Sequence, residues 1–424
     1  MPTIPANVTL NTNVAAMLNA IRAHASLTYQ ERVPVATQDT IKETGEAIMA
    51  FQSTANDFLD ALINRIAMVL ITSKSYQNPL REFKRGILGY GESIEELFVS
   101  LIKAQEFDPA VAEKEVYKRN IPDVPAAFHK LNLRNFYKVT ISEEQLSTAF
   151  LSADGVLDLI GRIVDTLYTS AELDEFLTMK QLIANDANAG KFYPIGVGEI
   201  TADNAKTIVT KIKQVSNQLE FMSGRYNYVG VPTHSKKDEQ VLLIDAQLDA
   251  LIDVEVLASA FNMSKAEFMG RRVLIDEFTG LSGVYAALID KTYFMVFDKL
   301  VKTTEQYNSQ GLYWNYFYHV WKIMSTSPFA NAVLFTKDTP SVTLNTITGD
   351  GTAKVGDTKT YACTATSTAY ADKSVTWSAQ MDDQTVVPIG GDGKITFTQA
   401  GTCVIKATSV FDPTKTRTKP VTVS

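Results

Sequence analysis

Apolar residues recur at helical spacing in three long stretches of the chain. The first runs from Thr40 to Ile71. The second predicts a helix over about 154–188, on a stripe of Val156, Ile160, Ile163, Leu167, Phe176 and Ile183. Asp154 suits the N-cap of this helix and Gly190 its end, and at the usual rise it would be about 48 Å long. A third, shorter helix is predicted from Asp203 to Gly224.

Short apolar runs follow the third helix and alternate with further helical segments. The runs predict buried strands at Val241–Ile244, Arg272–Ile275, Tyr285–Ile289 and Tyr293–Phe297. Between them, helical spacing predicts helices over Ala246–Phe261 and Lys265–Met269. This alternation indicates an α/β lobe within a chain whose overall class is α+β.

The densest aromatic run is Gly311–Trp321. Read with a period of two, its side chains fall into two sets: Leu312, Trp314, Tyr316, Tyr318 and Val320 on one side, and Tyr313, Phe317, His319 and Trp321 on the other. Because both sides are largely apolar, we expect a strand buried on both faces, in the core or at a subunit interface, with Trp314 and Trp321 in the structural core. A base-stacking platform is the alternative, but no Lys or Arg occurs in the run before Lys322.

Composition changes abruptly near Asp338-Thr339-Pro340. The 84 residues from 341 to 424 contain 19 Thr and one Leu, whereas the preceding body is rich in Leu and Ile. Short alternating strands follow, with Gly-Asp-Gly turns at 349–351 and 391–393; the strands are Ser374–Ala379, Lys394–Thr398, Cys403–Ser409 and Pro420–Val423. The pattern predicts an all-β sandwich over 340–424 that is separate from the body at 1–339.

The only two cysteines, Cys363 and Cys403, lie in this module on either side of Trp377. That order follows the immunoglobulin pattern of two facing cysteines beside a core Trp, so a disulfide is one interpretation. The other is that both are small reduced core residues beside Trp377. The module resembles the bacterial Ig-like group-two domains, through Ser-Val-Thr-Trp-Ser, the Gly-Asp-Gly turn and the terminal Val-Thr-Val.

Charge and composition exclude several classes of protein. Lys plus Arg is 40 and Asp plus Glu is 47, so the net charge of −7 argues against a generally basic nucleic-acid binder. The module has 8 basic and 7 acidic residues, a net charge of +1, which leaves −8 on the body. No apolar run is long enough to cross a bilayer. The N-terminus lacks the pattern of a signal peptide, which counts against a surface adhesin, and a body without cysteine suggests synthesis in a reducing cytosol.

The N-terminal region and one charged segment are predicted to extend from the body of the protein. Residues 1–37 predict an extended arm with a short helix around Val14–His24. After Asn78-Pro79, a basic group precedes Gly86–Gly91 and an acidic group follows it, which predicts a hairpin tip or tight loop. These charged residues are the candidate subunit contacts: Arg81, Lys84, Arg85, Glu92, Glu95 and Glu96.

Candidate chemistry is sparse. Three strand-like runs end in Ile-Asp, at Asp245, Asp276 and Asp290, and carboxylates at strand ends can hold a metal or act in catalysis. Asp245, Asp249 and Asp253 also form an acidic stripe at helical spacing, typical of a solvated or subunit-contact face. The P-loop, zinc-protease and serine-hydrolase motifs are missing, and the four His are scattered. We therefore expect no enzyme, cofactor or metal, and keep a metal-dependent α/β hydrolase with a carbohydrate-binding Ig-like tail as the alternative.

The body resembles the major capsid proteins of small short-tailed phages related to phi-29, from about Pro34 to Phe335. The matching blocks keep the same order along the chain: Asn78-Pro79-Leu80 with its basic cluster, Glu95-Glu96, Phe136-Tyr137, Thr148-Ala149-Phe150, Ser170–Glu175, Leu257–Met263, Gly311–Trp321 and Phe329–Val333. An Ig-like C-terminal module also occurs in members of that family.

The resemblance implies the tailed-phage HK-97-like, or Johnson, capsid fold with peripheral and axial domains. Its parts would be the arm at 1–37, the extended loop at about 75–125, the spine helix at about 154–188 and the axial domain at about 190–300, followed by the Ig-like sandwich. The implied function is self-assembly into pentamers and hexamers of an icosahedral head around double-stranded DNA, with the Ig-like module exposed outside for attachment or bracing. Implied partners are other copies, a scaffolding protein, a portal and DNA contacted without sequence specificity; no membrane is involved. The location would be the virion, assembled in the host cytoplasm.

Overall fold

The computed structural model of the chain describes residues 14–37, 39–51, 53–58, 76–89, 93–102, 124–150, 155–252 and 271–424. Within them the helices are α1 (Val14–His24), α2 (Leu27–Arg32), α3 (Ile41–Met49), α4 (Glu143–Ala149), α5 (Gly155–Asn188), α6 (Ala202–Gln218) and α7 (Ala246–Leu251). The predicted helix at Lys265–Met269 and most of the one at Ala246–Phe261 lie outside the described residues, as do Asp154, Asp253 and Glu92.

The strands divide between the body and the C-terminal module. Those of the body are β1 (Lys84–Ile87), β2 (Ile94–Leu97), β3 (Ala126–His129), β4 (Leu133–Ser142), β5 (Tyr193–Gly196), β6 (Gln240–Asp245), β7 (Arg271–Ile275), β8 (Val284–Asp290), β9 (Phe294–Asn308), β10 (Tyr313–Thr326) and β11 (Ala332–Thr336). Those of the module are β12 (Ser341–Leu344), β13 (Thr352–Ala353), β14 (Thr358–Thr360), β15 (Ala365–Thr368), β16 (Val375–Met381), β17 (Val386–Val387), β18 (Lys394–Thr396), β19 (Gly401–Ser409) and β20 (Thr416–Val423). The predicted strands are confirmed, with shifts at their ends.

The first compact unit comprises residues 1–94, 129–178 and 296–324. Its four-stranded sheet has the order β1-β9-β10-β4. The aromatic strand β10 runs antiparallel to β4, with Tyr313 opposite Ser142 and Lys322 opposite Leu133. Strand β1 instead pairs in parallel with β9, Lys84 lying opposite Val296.

The core of this unit joins the N-terminal helices to the aromatic strand. Apolar residues of α1, α2 and α3 form one buried cluster with Phe150, Trp314 and Tyr316. The prediction of a short helix at Val14–His24 is confirmed, but the expectation of an extended arm is wrong for the described residues from Val14 onward. Burying Leu18, Ile21 and Tyr29 favours a folded segment here, because apolar area removed from water stabilises it.

A reciprocal cap starts α4. The Ser142 hydroxyl accepts a hydrogen bond from the Gln145 backbone N–H, and the Gln145 side chain accepts one from the Ser142 N–H. Two N–H groups that the helix itself cannot satisfy are thereby paired. This fixes the point at which strand β4 turns into a helix.

The second compact unit comprises residues 95–128, 179–295 and 325–424. Its larger body sheet is mixed, with the order β5-β11-β8-β6-β7; β5 is parallel to β11 and β7 to β6, and the other pairs are antiparallel. Helix α6 buries Ala205, Ile208, Ile212 and other residues of its apolar stripe in a cluster with this sheet. The α/β lobe expected from the alternating runs is therefore present, although its sheet is mixed.

The C-terminal module is a small β-sandwich within the second unit. A five-stranded sheet of order β13-β20-β19-β16-β17 lies with the two-stranded pairs β12-β15 and β14-β18. Tyr361, Phe397, Cys403 and Ile405 are among the residues of its own buried cluster. Alternation in β19 is regular, with Cys403, Ile405 and Ala407 buried and Val404 and Lys406 exposed. The predicted all-β architecture is thus confirmed.

Candidate assembly surfaces

The residues predicted to form a charged hairpin belong to two different sheets. Lys84 and Arg85 lie in β1, which pairs with β9, whereas Glu95 and Glu96 lie in β2, which pairs with β3. The hairpin expectation is therefore wrong, and the alternative of a tight loop at Gly86–Gly91 falls partly outside the described residues. Glycines and opposite charges are local signals, and they do not reveal pairing with a strand some 200 residues further along the chain.

Lys84 belongs to a buried charge cluster of the first unit, formed by Lys84, Glu175, Asp298 and Lys322. The Lys84 ammonium lies 2.8 Å from Asp298 Oδ2 and 3.6 Å from Glu175 Oε2. The Lys322 ammonium contacts Glu175 and lies 3.8 Å from Asp298 Oδ1. Glu175, Asp298 and Lys322 are all buried. The charged group of Lys84 is therefore used within the chain.

Asn78 completes the link between this cluster and helix α5. Its side-chain N–H donates to Glu175 Oε1 at 3.1 Å, and its backbone N–H donates to Glu172 Oε2 at 3.1 Å. The pKa of Lys322 is lowered to about 7, chiefly by burial and also by the Lys84 ammonium beside it, while Glu172 opposes the fall. The segment that precedes β1 is thus bound to the helix through the buried carboxylate of Glu175 and the half-buried carboxylate of Glu172.

The inner side of β10 is a packed core, as the period-two pattern predicts. Trp314, Tyr316, Tyr318 and Val320 are buried. The indole N–H of Trp314 donates to Asn56 Oδ1 at 2.5 Å. Tyr318 packs on Tyr168 with 4.8 Å between ring centroids, and burial raises the pKa of both phenols.

The other side of the same strand is not fully covered in the single chain. Its residues join those of β4 in a surface that we call the aromatic face: Arg134, Phe136, Lys138, Phe317, His319 and Trp321. Phe136 is 58% exposed, and Phe317, His319 and Trp321 are half-buried. The expectation that Trp321 lies in the core is therefore wrong for the single chain, and burial of this second face at a subunit interface remains a prediction.

Cations lie over the rings of the aromatic face. The Arg134 guanidinium is 5.3 Å from the centroid of the Trp321 ring, and the Lys138 ammonium is 5.9 Å from that of Phe317. Such contacts are worth about 0.5–1 kcal/mol at an exposed site. Arg134, Phe136 and Lys138 were not predicted from the sequence to form a contact surface, although their alternation in Leu133–Ser142 was a usable signal.

A second exposed apolar surface lies in the second unit, on residues 95–102 and 124–128, which we call the apolar strand pair. Its large exposed side chains are Leu97, Val99, Leu101, Ile102, Val124 and Phe128. Ile102 is 68% and Phe128 65% exposed. Contiguous exposed apolar residues of this kind mark surfaces for protein or membrane contact. Glu95, which is exposed, and Glu96 give it a negative end.

The acidic strand ends have structural partners. The Asp245 carboxylate accepts from the Gln247 N–H at 2.7 Å as the N-cap of α7, and Asp276 lies 2.6 Å from the Lys180 ammonium. Asp290 accepts hydrogen bonds from Ser235 and Thr292, and Asp249 pairs with Arg272. No group of His, Cys, Asp and Glu suited to a metal occurs among the residues that the structure describes.

In the module, Cys363 and Cys403 are free thiols, so the disulfide interpretation is wrong for this structure. The Cys403 thiol is buried, while that of Cys363 donates to the Asn345 carbonyl at 3.3 Å. Burial raises the pKa of both thiols, which disfavours the reactive thiolate. Trp377 is half-buried against the module core.

None of the helices in the described ranges has the length and apolar content needed to cross a membrane.

Comparison with known proteins identifies relatives over most of the chain. A family model described as the Phi29-like phage major capsid protein matches residues 18–336. The major capsid protein of Bacillus phage PZA is 36% identical over 400 residues, which cover 92% of this chain and 89% of that protein. The major capsid protein of Bacillus phage B103 is 38% identical over 402 residues, with the same shares of each chain covered.

Comparison with solved structures shows the fold. A chain of the capsid structure of Staphylococcus phage Andhra has a TM-score of 0.52 and 13% sequence identity, over 63% of this chain and 86% of that one. The tailed-phage capsid fold expected from the sequence is thereby confirmed. These relatives give no support to the hydrolase alternative.

Proposed function

The chain belongs to the Phi29-like phage major capsid protein family, and from this premise we propose that its copies join through two different surfaces. It is a major capsid protein and its location is the capsid of the virion, where it associates with itself to form the icosahedral shell. The resemblance drawn from the sequence blocks is confirmed. What remains a proposal is which residues make the contacts and which capsomers result.

The observation that carries the proposal is the presence of two unlike apolar surfaces on one chain. The aromatic face carries Arg134 and Lys138, whereas the apolar strand pair carries Glu95 and Glu96. The two surfaces therefore complement each other in charge as well as in apolar character. We place the apolar strand pair of one copy on the aromatic face of the next copy.

Contact between two different surfaces is heterologous, and such contacts close into rings when the rotation per copy permits. Rings of this kind are the pentamers and hexamers proposed here. Each exposed ion pair is worth only about 0.2–1 kcal/mol, but every copy in a shell repeats it. Of the residues first proposed as subunit contacts, Arg81, Arg85, Glu92, Glu95 and Glu96 remain predictions, and Lys84 is retained only as a partner inside the charge cluster.

A charge exchange tests this contact. We expect Lys138→Glu to prevent assembly while leaving a folded chain, and we expect Glu95→Lys in the same chain to restore shells, because the pair is then reversed. Negative-stain microscopy and size-exclusion chromatography give the readout. Lys206→Glu, on the exposed side of α6, is the matched control and should assemble normally. Normal shells from Lys138→Glu alone would contradict the contact, although not the family assignment.

Further partners follow from the same role. We propose a scaffolding protein and a portal as assembly partners, and packaged double-stranded DNA as a content held without sequence specificity. The charge of −8 on residues 1–340 supports a wall that does not hold DNA tightly, since phosphate binding requires a surplus of Lys and Arg. Assembled shells should therefore fail to retard a DNA duplex in a gel at physiological salt. Clear retardation would contradict this part.

A further inference from the structure

The loop between β15 and β16 fastens the C-terminal module to the body part of the second unit. The Tyr370 hydroxyl accepts a hydrogen bond from the Ser282 backbone N–H at 2.6 Å and donates one to the Ser282 carbonyl at 3.0 Å. One side chain thus satisfies both backbone groups of a single residue on the body. A loop that passed the body without a specific contact would not form both of these hydrogen bonds to one residue.

The backbone of this loop is held in an uncommon conformation. Ala369 and Tyr370 have φ angles of +50° and +65°. Side chains other than Gly rarely adopt this region, and the cost persists only where the surroundings hold the residue in place. Asp372 contributes by accepting from the Ser374 N–H at 2.8 Å and from the Ser374 hydroxyl at 2.5 Å. The loop is therefore shaped to present Tyr370.

The body approaches the same loop closely at the end of α5. A Cβ placed on Gly190 would lie 2.8 Å from the Cα of Asp372, and Gly190 has a φ of +74°. Only glycine meets both conditions without displacing the loop. The residue that ends the long helix is thus also the residue that gives the module room to dock.

A second contact lies on the β19–β20 connection. The Phe411 ring packs on Tyr193 of β5, with 5.7 Å between centroids. The Arg225 guanidinium lies 4.7 Å from the centroid of the same Tyr193 ring, and Tyr226 meets it edge-on at 5.4 Å. Phe411 also packs against a small module cluster that contains Val342 and Ala371. Tyr193 therefore belongs at once to the body and to the docking contact.

The connecting segment is itself hydrogen-bonded along its length. The Thr336 hydroxyl donates to the Asp338 carbonyl at 2.9 Å, and the Thr368 hydroxyl donates to the Thr339 carbonyl at 3.0 Å. A Cβ on Gly196 would lie 2.8 Å from the Cα of Thr339. Residues 336–340 thus follow a defined path along β5 and do not act as a loose tether.

We propose that the Ig-like module is a docked part of the subunit, with Tyr370 as the positioning residue that fixes its orientation on the body. The module would then present the same surface in the same direction from every copy, because it is held in one orientation and does not move freely on its connecting segment. The proposal concerns the folded single chain and does not depend on how copies join. Its failure would leave the shell-forming role unchanged.

Tyr370→Phe in the full-length chain tests the proposal, because it removes the hydroxyl and keeps the ring. Tyr361→Phe is the matched control, since the Tyr361 hydroxyl donates at 2.9 Å to the Asp350 carbonyl within the module itself. Hydrogen–deuterium exchange at the Ser282 amide reports on the contact directly. Limited proteolysis at residues 336–340 reports on whether the module swings free.

For Tyr370→Phe we expect exchange at Ser282 and cleavage at 336–340 to accelerate at least about fivefold, the effect of losing one ordinary hydrogen bond. Tyr361→Phe should leave both rates near those of the unchanged protein. Tyr370→Ser, which also removes the ring, should accelerate cleavage further. Unprotected exchange at Ser282 in the unchanged protein, or equal cleavage rates for all four chains, would overturn the proposal.

Discussion

The sheet of the first unit and the sandwich of the C-terminal module differ in how they meet solvent. In the module, strand β19 buries Cys403, Ile405 and Ala407 and turns Val404 and Lys406 outward. In the body sheet, β4 and β10 turn Phe136, Phe317 and Trp321 toward solvent on the aromatic face. The module sheet buries one face within its own sandwich, whereas the body sheet leaves aromatic area exposed that another protein surface can cover. We infer from this difference that the body sheet makes the contacts between copies, and that the module is attached to the body without being needed for assembly.

The largest expected effect comes from a change that breaks the body core and leaves the module core in place. Trp314→Ala removes a fully buried indole and its hydrogen bond to Asn56, and the loss should be about 3–5 kcal/mol. We expect insoluble protein on expression. Trp377→Ala, at a half-buried position of the module, should cost about 1–2 kcal/mol and stay soluble. Soluble, shell-forming Trp314→Ala protein that had lost only binding to nucleic acid would show that this Trp is a ligand site.

The second-largest expected effect comes from reversing exposed charges on the body, compared with reversing an exposed charge on the module. Reversing Arg81 and Arg85 together to Glu should leave a folded chain that does not form shells, measured by circular dichroism and microscopy. Lys84 is left unchanged, because reversing it would place three carboxylates around Lys322 and test folding instead. Lys406→Glu on the module is the control, and we expect it to assemble. Shells from the double variant would remove these two residues from the contact.

A milder change removes the module altogether. Ending the chain after Asp338 should give shells of unchanged symmetry that lack surface bumps, because the module has its own buried cluster. The end of the family match at residue 336 supports this boundary. Electron microscopy of the particles gives the answer. A truncated body that cannot close would mean that the docked module braces the shell.

The smallest expected effect concerns the module's thiols. Because Cys363 and Cys403 are unpaired, a reducing agent should leave the melting temperature of the module unchanged. Cys363→Ser should likewise be nearly neutral, since its thiol makes weak hydrogen bonds to the Asn345 and Thr364 carbonyls that a hydroxyl can also make. A clear drop in melting temperature on reduction would show that the two sulfurs pair in solution.

The sequence predicted those features that local periodicity encodes. The stripe ending at Ile183 predicted a helix over about 154–188, and the structure has it at Gly155–Asn188. Apolar runs and turn residues likewise predicted four of the strands of the body, β6 to β9, and the C-terminal sandwich. In each case the information lies within about 30 neighbouring residues, because burial on one face repeats at the helical or strand period.

The features that were missed depend on distant parts of the chain. Nothing near Lys84 indicates that β1 would lie beside Val296 and Asp298. The pattern also left open how the second face of β10 is covered, since an apolar side chain can be covered either by its own chain or by another copy, and the two give the same pattern. The helix at Val14–His24 was predicted, but the helix at Leu27–Arg32 and the packing of both into the body core were missed, because their burial depends on Trp314 and Tyr316.

The charge cluster of Lys84, Glu175, Asp298 and Lys322 has a consequence for how such a sequence can change over generations. Each cation there lies near both carboxylates. Replacing one of the four residues by a neutral residue therefore leaves a buried charge without its counter-charge, which is strongly disfavoured. Replacing a cation and a carboxylate together by apolar residues of similar volume removes that obstacle. We therefore expect substitutions at these four positions to occur in pairs, one cation together with one carboxylate. Descendants of this chain would carry either the whole set of charges or a matched apolar substitute.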